Sequence, residues 1–428
     1  MPRFALLIAL LAGCTCAEPP QAPPSTAVAP IEPATPTSPP ADGSLPWSQA
    51  LAALDERLSL HLQRDDSVHR NLAASLLLSR ARLTGDYDDY ARAEAQVEAA
   101  FGFSPPNAGP FLTRASLNYS LHRLDRVEAD LDRAASAVLL DDPTRAAIAL
   151  ARGKLRFHQG RYDEARLLVQ QAIDLRPVPQ PGALATLALI HWRTGNLDDA
   201  DGLYADALEG LSRKPSETRA WLHLQRGLLD LDRGRWAEAL AHYQDAGAVL
   251  PGWYLVDEHI AEVHALTGRV DLARPLYEDV AARTGSPEFF DALAGLERAA
   301  GNEAGAQAWI DRAVAAYAAQ LVQFPEAAYG HALSHYLEFG PPDRALELAE
   351  ANMALRPYGG SATALIEARL GAGHPQDAAE LADATLRGAW RTADLHAAAA
   401  RAYRAVGRLD EAGAQDAAAL ALNPHALD

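Results

Sequence analysis

The chain has 428 residues, 49% hydrophobic and 22% charged, with 38 Lys and Arg against 56 Asp and Glu, a formal charge of −18. That length allows about three ordinary globular domains or one long repeat array. Lys occurs only at 154 and 214, and Arg is scattered singly among acids, which excludes the basic stripe of a nucleic-acid binder. The two cysteines are Cys14 and Cys16, so no disulfide framework or Cys-based zinc site is available further along the chain.

Residues 1–13 carry one basic side chain, Arg3, followed by an apolar run that ends in Leu11-Ala12-Gly13-Cys14. The run falls short of the roughly 18–20 apolar residues of a spanning helix, and small residues before Cys14 suit a signal peptidase. This start resembles a bacterial lipoprotein signal. The resemblance implies removal of 1–13 and acylation of Cys14 as the first mature residue. With Thr15 rather than Asp next, it also implies delivery to the outer membrane. Residues 14–46 then read as a tether: ten of the thirty residues from 17 to 46 are Pro, mixed with Ala, Thr and Ser. Proline lacks the amide donor and favours extended backbone, so this segment spans up to roughly 90 Å at about 3.1 Å per residue instead of packing a core.

Over 47–65 the apolar positions Trp47, Leu51, Leu54, Leu58 and Leu62 predict one amphipathic capping helix. From 66 to 428 a single pattern recurs ten times. Its turn positions are Gly85, His122, Gly160, Gly195, Gly234, Gly268, Gly301, Gly340, Gly373 and Gly407, and eight copies carry Ala five residues later. Gly160-Arg-Tyr-Asp-Glu-Ala165 and Gly407-Arg-Leu-Asp-Glu-Ala412 are clear copies, and Pro177, Pro251, Pro357 and Pro424 each follow a turn by seventeen residues. A left-handed Gly closes a first helix, acids stabilise the start of a second, Ala lets the pair approach, and Pro ends it. The 91 alanines suit such close packing. The pattern resembles a tetratricopeptide repeat array. The expected fold is therefore all-α, a right-handed superhelical solenoid of about ten helix–turn–helix repeats. His122 is expected to make a less strictly left-handed turn, and Pro275 to kink its helix. The last repeat has no polar solvating helix after it, so its edge is a candidate self-association surface.

Catalytic motifs for phosphate binding, serine nucleophiles and zinc proteolysis do not occur in the chain. His259 and His264 flank Glu262, but five residues place their rings about 140° apart on a helix, too far to share an ion. His331, His335 and Glu338 share one helix face at i, i+4 and i+7 and form the metal candidate, against the plainer reading that they face water or a neighbouring repeat. Asp86, Asp88 and Asp89 lack the Gly and distal Glu of a calcium loop. The expectation is a non-enzyme with no cofactor. In the resembling family the first helices line a concave groove. Carried onto this chain, that gives Tyr119, Phe157, Trp192 and Leu231 as an apolar half and Glu258, Glu262 and Asp291 as an acidic step. The function expected is a scaffold tethered to the cell envelope, taking a protein or peptide partner in that groove and touching the membrane only through its lipid. The alternatives are self-assembly through the C-terminal edge or a metal-binding role for His331, His335 and Glu338. A misread signal would make the protein cytoplasmic.

Overall fold

A computed structural model describes residues 45–105, 108–137 and 140–428; the signal, Cys14 and nearly all of the tether lie outside these. The described residues form 21 helices and no strand. Helix α1 (Trp47–Leu62) precedes ten antiparallel pairs. The first five pairs are α2 (Ser67–Thr84) with α3 (Tyr87–Gly102), α4 (Phe111–Ser120) with α5 (Leu124–Ala135), α6 (Asp142–His158) with α7 (Tyr162–Asp174), α8 (Pro181–Arg193) with α9 (Leu197–Glu209), and α10 (Glu217–Asp232) with α11 (Trp236–Val249). The second five are α12 (Tyr254–Leu266) with α13 (Val270–Thr284), α14 (Pro287–Ala299) with α15 (Glu303–Gln323), α16 (Pro325–Phe339) with α17 (Pro342–Leu355), α18 (Gly359–Gly371) with α19 (Pro375–Leu386), and α20 (Ala393–Ala405) with α21 (Leu409–Leu422). Each pair packs on itself and on the next, giving the all-α solenoid the spacing predicts.

The local chemistry follows the repeat. Nine of the ten turn residues are left-handed, including His122 at φ 59°, so the turn there keeps the same hand without a glycine. Gly340 is the exception, at φ −109° and ψ 179°. Pro341 follows it, and the residue before a proline is pushed towards extended backbone. The alanines five residues past each turn are buried, from Ala165 to Ala412. Pro275 lies inside α13, beyond its first turn. Helix α1 buries Ala50, Leu54 and Leu58 and donates from Trp47 Nε1 to the Leu83 carbonyl at 2.9 Å.

One feature of the packing goes beyond neighbouring repeats: the coil closes on itself. The N–H groups of Leu45 and Trp47 donate to the carbonyls of Val249 and Pro251. The turn at His122 meets Glu326 and Arg356, Tyr162 Oη accepts from the Gly359 amide at 2.7 Å, and Gln323 reaches Asp88. These partners are 197 to 235 residues apart. The Arg391 amide likewise donates to the Arg193 carbonyl, and His425 stacks on Trp236 with centroids 4.0 Å apart. The turns of the first five repeats therefore sit on the inter-repeat loops of the last five or, at Gly234, on the segment after α21. The chain completes a superhelical turn in roughly five to six repeats, and the second coil rests directly on the first.

This stacking decides which helices are inside. Ten of the thirteen residues of α12 and nine of thirteen in α14 and α18 are buried, against four of fifteen in α13 and two of fourteen in α21. The first helices α12, α14 and α18 are covered nearly all round, whereas second helices such as α13 and α21 keep an exposed outer face. The last six residues are not a free end, since Asn423, Pro424 and His425 pack over the turn at Gly234.

Candidate functional site

The seven side chains expected to line an open groove are instead largely consumed by packing against their own and adjacent repeats and, at Phe157, against the second coil. Phe157 is 1% exposed and packs against Tyr162, Tyr358 and Trp390, with centroids 5.5, 6.2 and 6.0 Å away. Trp192 is 3% exposed; its Nε1 donates to Asp232 Oδ2 at 2.8 Å, and the Arg193 guanidinium lies 4.0 Å above its ring. Glu258, Glu262 and Asp291 are buried, and Tyr119 and Leu231 are half-buried. The expectation of an open groove lined by these residues is therefore corrected. A superhelix this tight brings first helices together, so their inward side chains meet the protein and not solvent.

At the seam, three groups from distant repeats form a small polar network. His122 Nε2 lies 3.0 Å from Arg356 Nη1, and its Nδ1 lies 3.2 Å from the Glu326 carbonyl. A guanidinium only donates and a carbonyl only accepts, so His122 is neutral with its proton on Nδ1. Burial, then the charge of Arg356, holds it well below the ordinary imidazole range. His158, 2.9 Å from Tyr119 Oη, is depressed by the same two causes.

The acidic step on α12, α14 and α16 forms two clusters. In one, Asp291 Oδ1 lies 2.6 Å from His335 Nδ1, and Tyr317 Oη donates to Asp291 Oδ2 at 3.0 Å. His331 Nδ1 lies 2.8 Å from Glu288 Oε1. Burial and then the charge of Asp291 push the Glu338 carboxyl up to about 7, opposed by Arg298. The candidate trio His331, His335 and Glu338 is thus divided among different partners, and its three ligand atoms do not converge on one point.

Two other sets do converge among the described residues: Glu258, His259 and Glu262, and His223, His242 and Asp245. In each, one ligand atom per residue lies within 4.8 Å of the others. The first set is fully buried. His259 Nδ1 lies 2.9 Å from Glu262 Oε2 and 3.1 Å from Glu258 Oε2, yet both oxygens of Glu258 lack a hydrogen bond. Tyr243 stacks on His259 with centroids 5.3 Å apart, and the hydroxyls of Tyr243 and Tyr277 are buried without partners. Burial drives Glu258 well above the carboxylate range, reinforced by the charges of Glu262 and Glu288. Burial raises Glu262 against the opposing pull of His259. Sequence reasoning tested the His259–His264 pair in this stretch and rightly separated it. The signal missed was the i, i+1, i+4 spacing of two glutamates around one histidine.

On the outside, the first edge of the array exposes Leu60, Val68, Leu72 and Phe103. Helices α1, α2 and α3 meet there, with Ser67 Oγ and Ser104 Oγ 2.8 Å apart and the His61 and His69 rings 5.4 Å apart. The last repeat exposes Leu409, Leu420 and Leu427.

No protein-family model and no curated protein matches the chain. Among solved structures, it is similar to the human IFIT1 dimer with m7Gppp-AAAA at 15% identity, over 88% of this chain and 95% of that one, with a TM-score of 0.42. It is also similar to the APC/C heterotetramer Cut9–Hcn1 at 16% identity, over 89% and 87% of the two chains, with a TM-score of 0.41. A third is pilF of Pseudomonas aeruginosa, at 17% identity over 50% of this chain and 94% of that one, with a TM-score of 0.35. Each overlays only coarsely, and the fold rests on the chain's own helices.

Proposed function

We propose that this protein is a non-catalytic interaction scaffold, held at the bacterial envelope by an acylated Cys14 and spaced from the lipid by the Pro-rich tether. The observation that carries the scaffold reading is the helical-repeat architecture, in which the inner faces are occupied by the chain itself and the outer helices stay exposed. Among the described residues no helix is long and apolar enough to cross a membrane, so membrane attachment falls to the lipid. One acyl chain binds only marginally, and firm retention needs the several chains that lipoprotein processing would add.

The partner is proposed to be a protein segment bearing apolar side chains, received at the first edge on Val68, Leu72 and Phe103, where exposed apolar surface gathers. The test is capture from solubilised envelope by the full chain. Val68→Glu with Phe103→Glu is expected to lose a saturable partner that the wild type retains. Undiminished capture by that variant removes the edge from the proposal. Loss of capture in a folded Trp192→Ala protein instead means that neighbouring repeats part to admit a ligand. Cys14→Ser is expected to move the protein from the membrane to the soluble fraction, and continued membrane retention refutes the anchor.

A second reading, self-assembly, is favoured by the exposed Leu409, Leu420 and Leu427 on the last repeat. Light scattering separates the two: a concentration-independent monomer excludes assembly through that edge.

A further inference from the structure

We propose that Glu258, His259 and Glu262 bind one divalent transition-metal ion in the protein interior, as a structural centre on the buried face of α12. Both oxygens of Glu258 are buried without a hydrogen bond, and the basic group nearest them is His259 Nδ1 at 3.1 Å. Glu258 is 0% exposed. Among the described residues it is the only carboxylate whose two oxygens are both buried without a hydrogen bond. Other buried acids have answers: Asp89 pairs with Arg80 and Arg92, Asp130 with Arg114, and Asp291 with His335 and Tyr317. Among the described residues no Lys or Arg pairs with Glu258 or Glu262, and the basic group paired with both is His259. Two buried carboxyl groups sharing one imidazole are costly to keep charged in a folded protein, and a bound cation would remove that cost.

The donor set matches a cation. One imidazole nitrogen and two carboxylate oxygens are borderline to hard ligands of the kind that hold zinc, manganese or iron(II), and two carboxylates balance a dipositive ion. Ligand atoms on one ion at about 2.0–2.2 Å stand roughly 3.3–3.5 Å apart in a tetrahedron. The observed spacings of 2.9 and 3.1 Å therefore need to widen by only a few tenths of an ångström. A second observation is independent of the acids. The hydroxyls of Tyr243 and Tyr277 are buried and unpartnered beside the same glutamates, and the Tyr243 ring is stacked on His259. That stacking fixes the imidazole plane, and the two hydroxyls can hydrogen-bond a coordinated water or the ligating carboxylates. Such outer partners orient metal ligands elsewhere. The alternative is a shared proton: Glu258 protonated and held against its neighbours without any ion.

The test uses the full chain, purified in detergent without a histidine tag or chelator. Metal content by plasma mass spectrometry is expected at about one divalent ion per chain. Prolonged chelation should lower Tm by roughly 4 °C, and zinc, manganese or iron(II) alone should restore it. Glu258→Gln and Glu262→Gln keep shape and remove charge; each is expected to cut metal content at least tenfold. Cobalt(II) added to the stripped protein should give visible bands that either variant shifts. Metal-free wild-type protein whose Tm ignores added metals overturns the proposal, and an unchanged or raised Tm in Glu258→Gln then identifies the shared proton. Metal that persists in both Gln variants but leaves with His223→Ala and His242→Ala also overturns it, placing the ion at the outer, half-exposed set. If a Gln variant does not fold, the wild-type metal content and the cobalt spectrum still decide.

Discussion

Replacing Trp192 by Ala separates the two possible roles of the inward aromatics. An exposed binding anchor would change stability by no more than about 0.5 kcal/mol. A tryptophan that is 3% exposed is a different case. Its ring buries roughly 150–250 Å², which at about 25 cal/mol per Å² is about 4–6 kcal/mol gross. Ala keeps part of that, and measured Trp→Ala losses in cores run about 3–5 kcal/mol. The substitution also removes the Nε1 bond to Asp232 and the ring under Arg193, although Arg193 Nη1 still holds Asp232 at 2.7 Å. The expected loss is therefore about 3–5 kcal/mol, read as a lowered urea midpoint at unchanged slope. Trp192→Phe keeps most of the packing and is expected to lose about 1–2 kcal/mol. A loss under about 1 kcal/mol for Trp192→Ala would refute the reading of this residue as packed interior between neighbouring repeats.

Three further outcomes follow from the seam and the interior. Gly160 and Gly268 share a left-handed turn at φ 72° and 76°, but a Cβ at 160 would sit 2.7 Å from the Pro357 carbonyl oxygen and one at 268 would meet nothing within 4 Å. Gly268→Ala is expected to lose about 1–2 kcal/mol from backbone strain, and Gly160→Ala at least about 1 kcal/mol more from overpacking; equal losses in urea titrations contradict the contact between coils. Burial and Arg356 hold folded His122 well below its ordinary 6.5. Below that pH the unfolded chain takes up a proton that the folded chain refuses, and stability falls as pH drops. His122→Asn, which tolerates the left-handed turn, should flatten the Tm profile between about pH 5 and 6.5, and an unchanged slope rejects the assignment. Glu338 acts with the opposite sign. Its folded value near 7 exceeds the ordinary 4.5, so its contribution is complete below 4.5 and is lost as pH rises through about 7. Glu338→Gln should remove that part of the decline, measured by the same thermal scans.

How much of this was legible in the sequence depends on the range of each interaction. Turn glycines, the alanine five residues later and the terminating prolines act within one helical hairpin. Their physics is local, and nine left-handed turns stand where the spacing put them. His122 kept its turn because its neighbours hold it: Glu326 and Arg356 grip the ring from the other coil. Gly340 lost its turn to a single neighbour, Pro341, a local signal that was available in the sequence. The seam was not legible, because its partners are 197 to 235 residues apart and repeat no motif. A Tyr162 hydroxyl meeting a Gly359 amide leaves no periodic trace.

The closure of the coil also changes what kind of solenoid this is. In an open array each repeat contacts only its neighbours, so stability is a sum of local terms and the ends fray first. Here the first-coil turns at 122, 160 and 195 each rest on a second-coil loop, and the turn at 234 on the segment after α21, so opening any one of those repeats exposes surface far along the chain. The cost of local unfolding is thereby shared across both coils. The close packing of adjacent first helices also removes the concave face as a ready surface and buries acids such as Glu258. That is why the inward residues chosen as a groove from repeat position alone turned out to be the core, and why recognition is best sought on the outer helices and the two exposed edges.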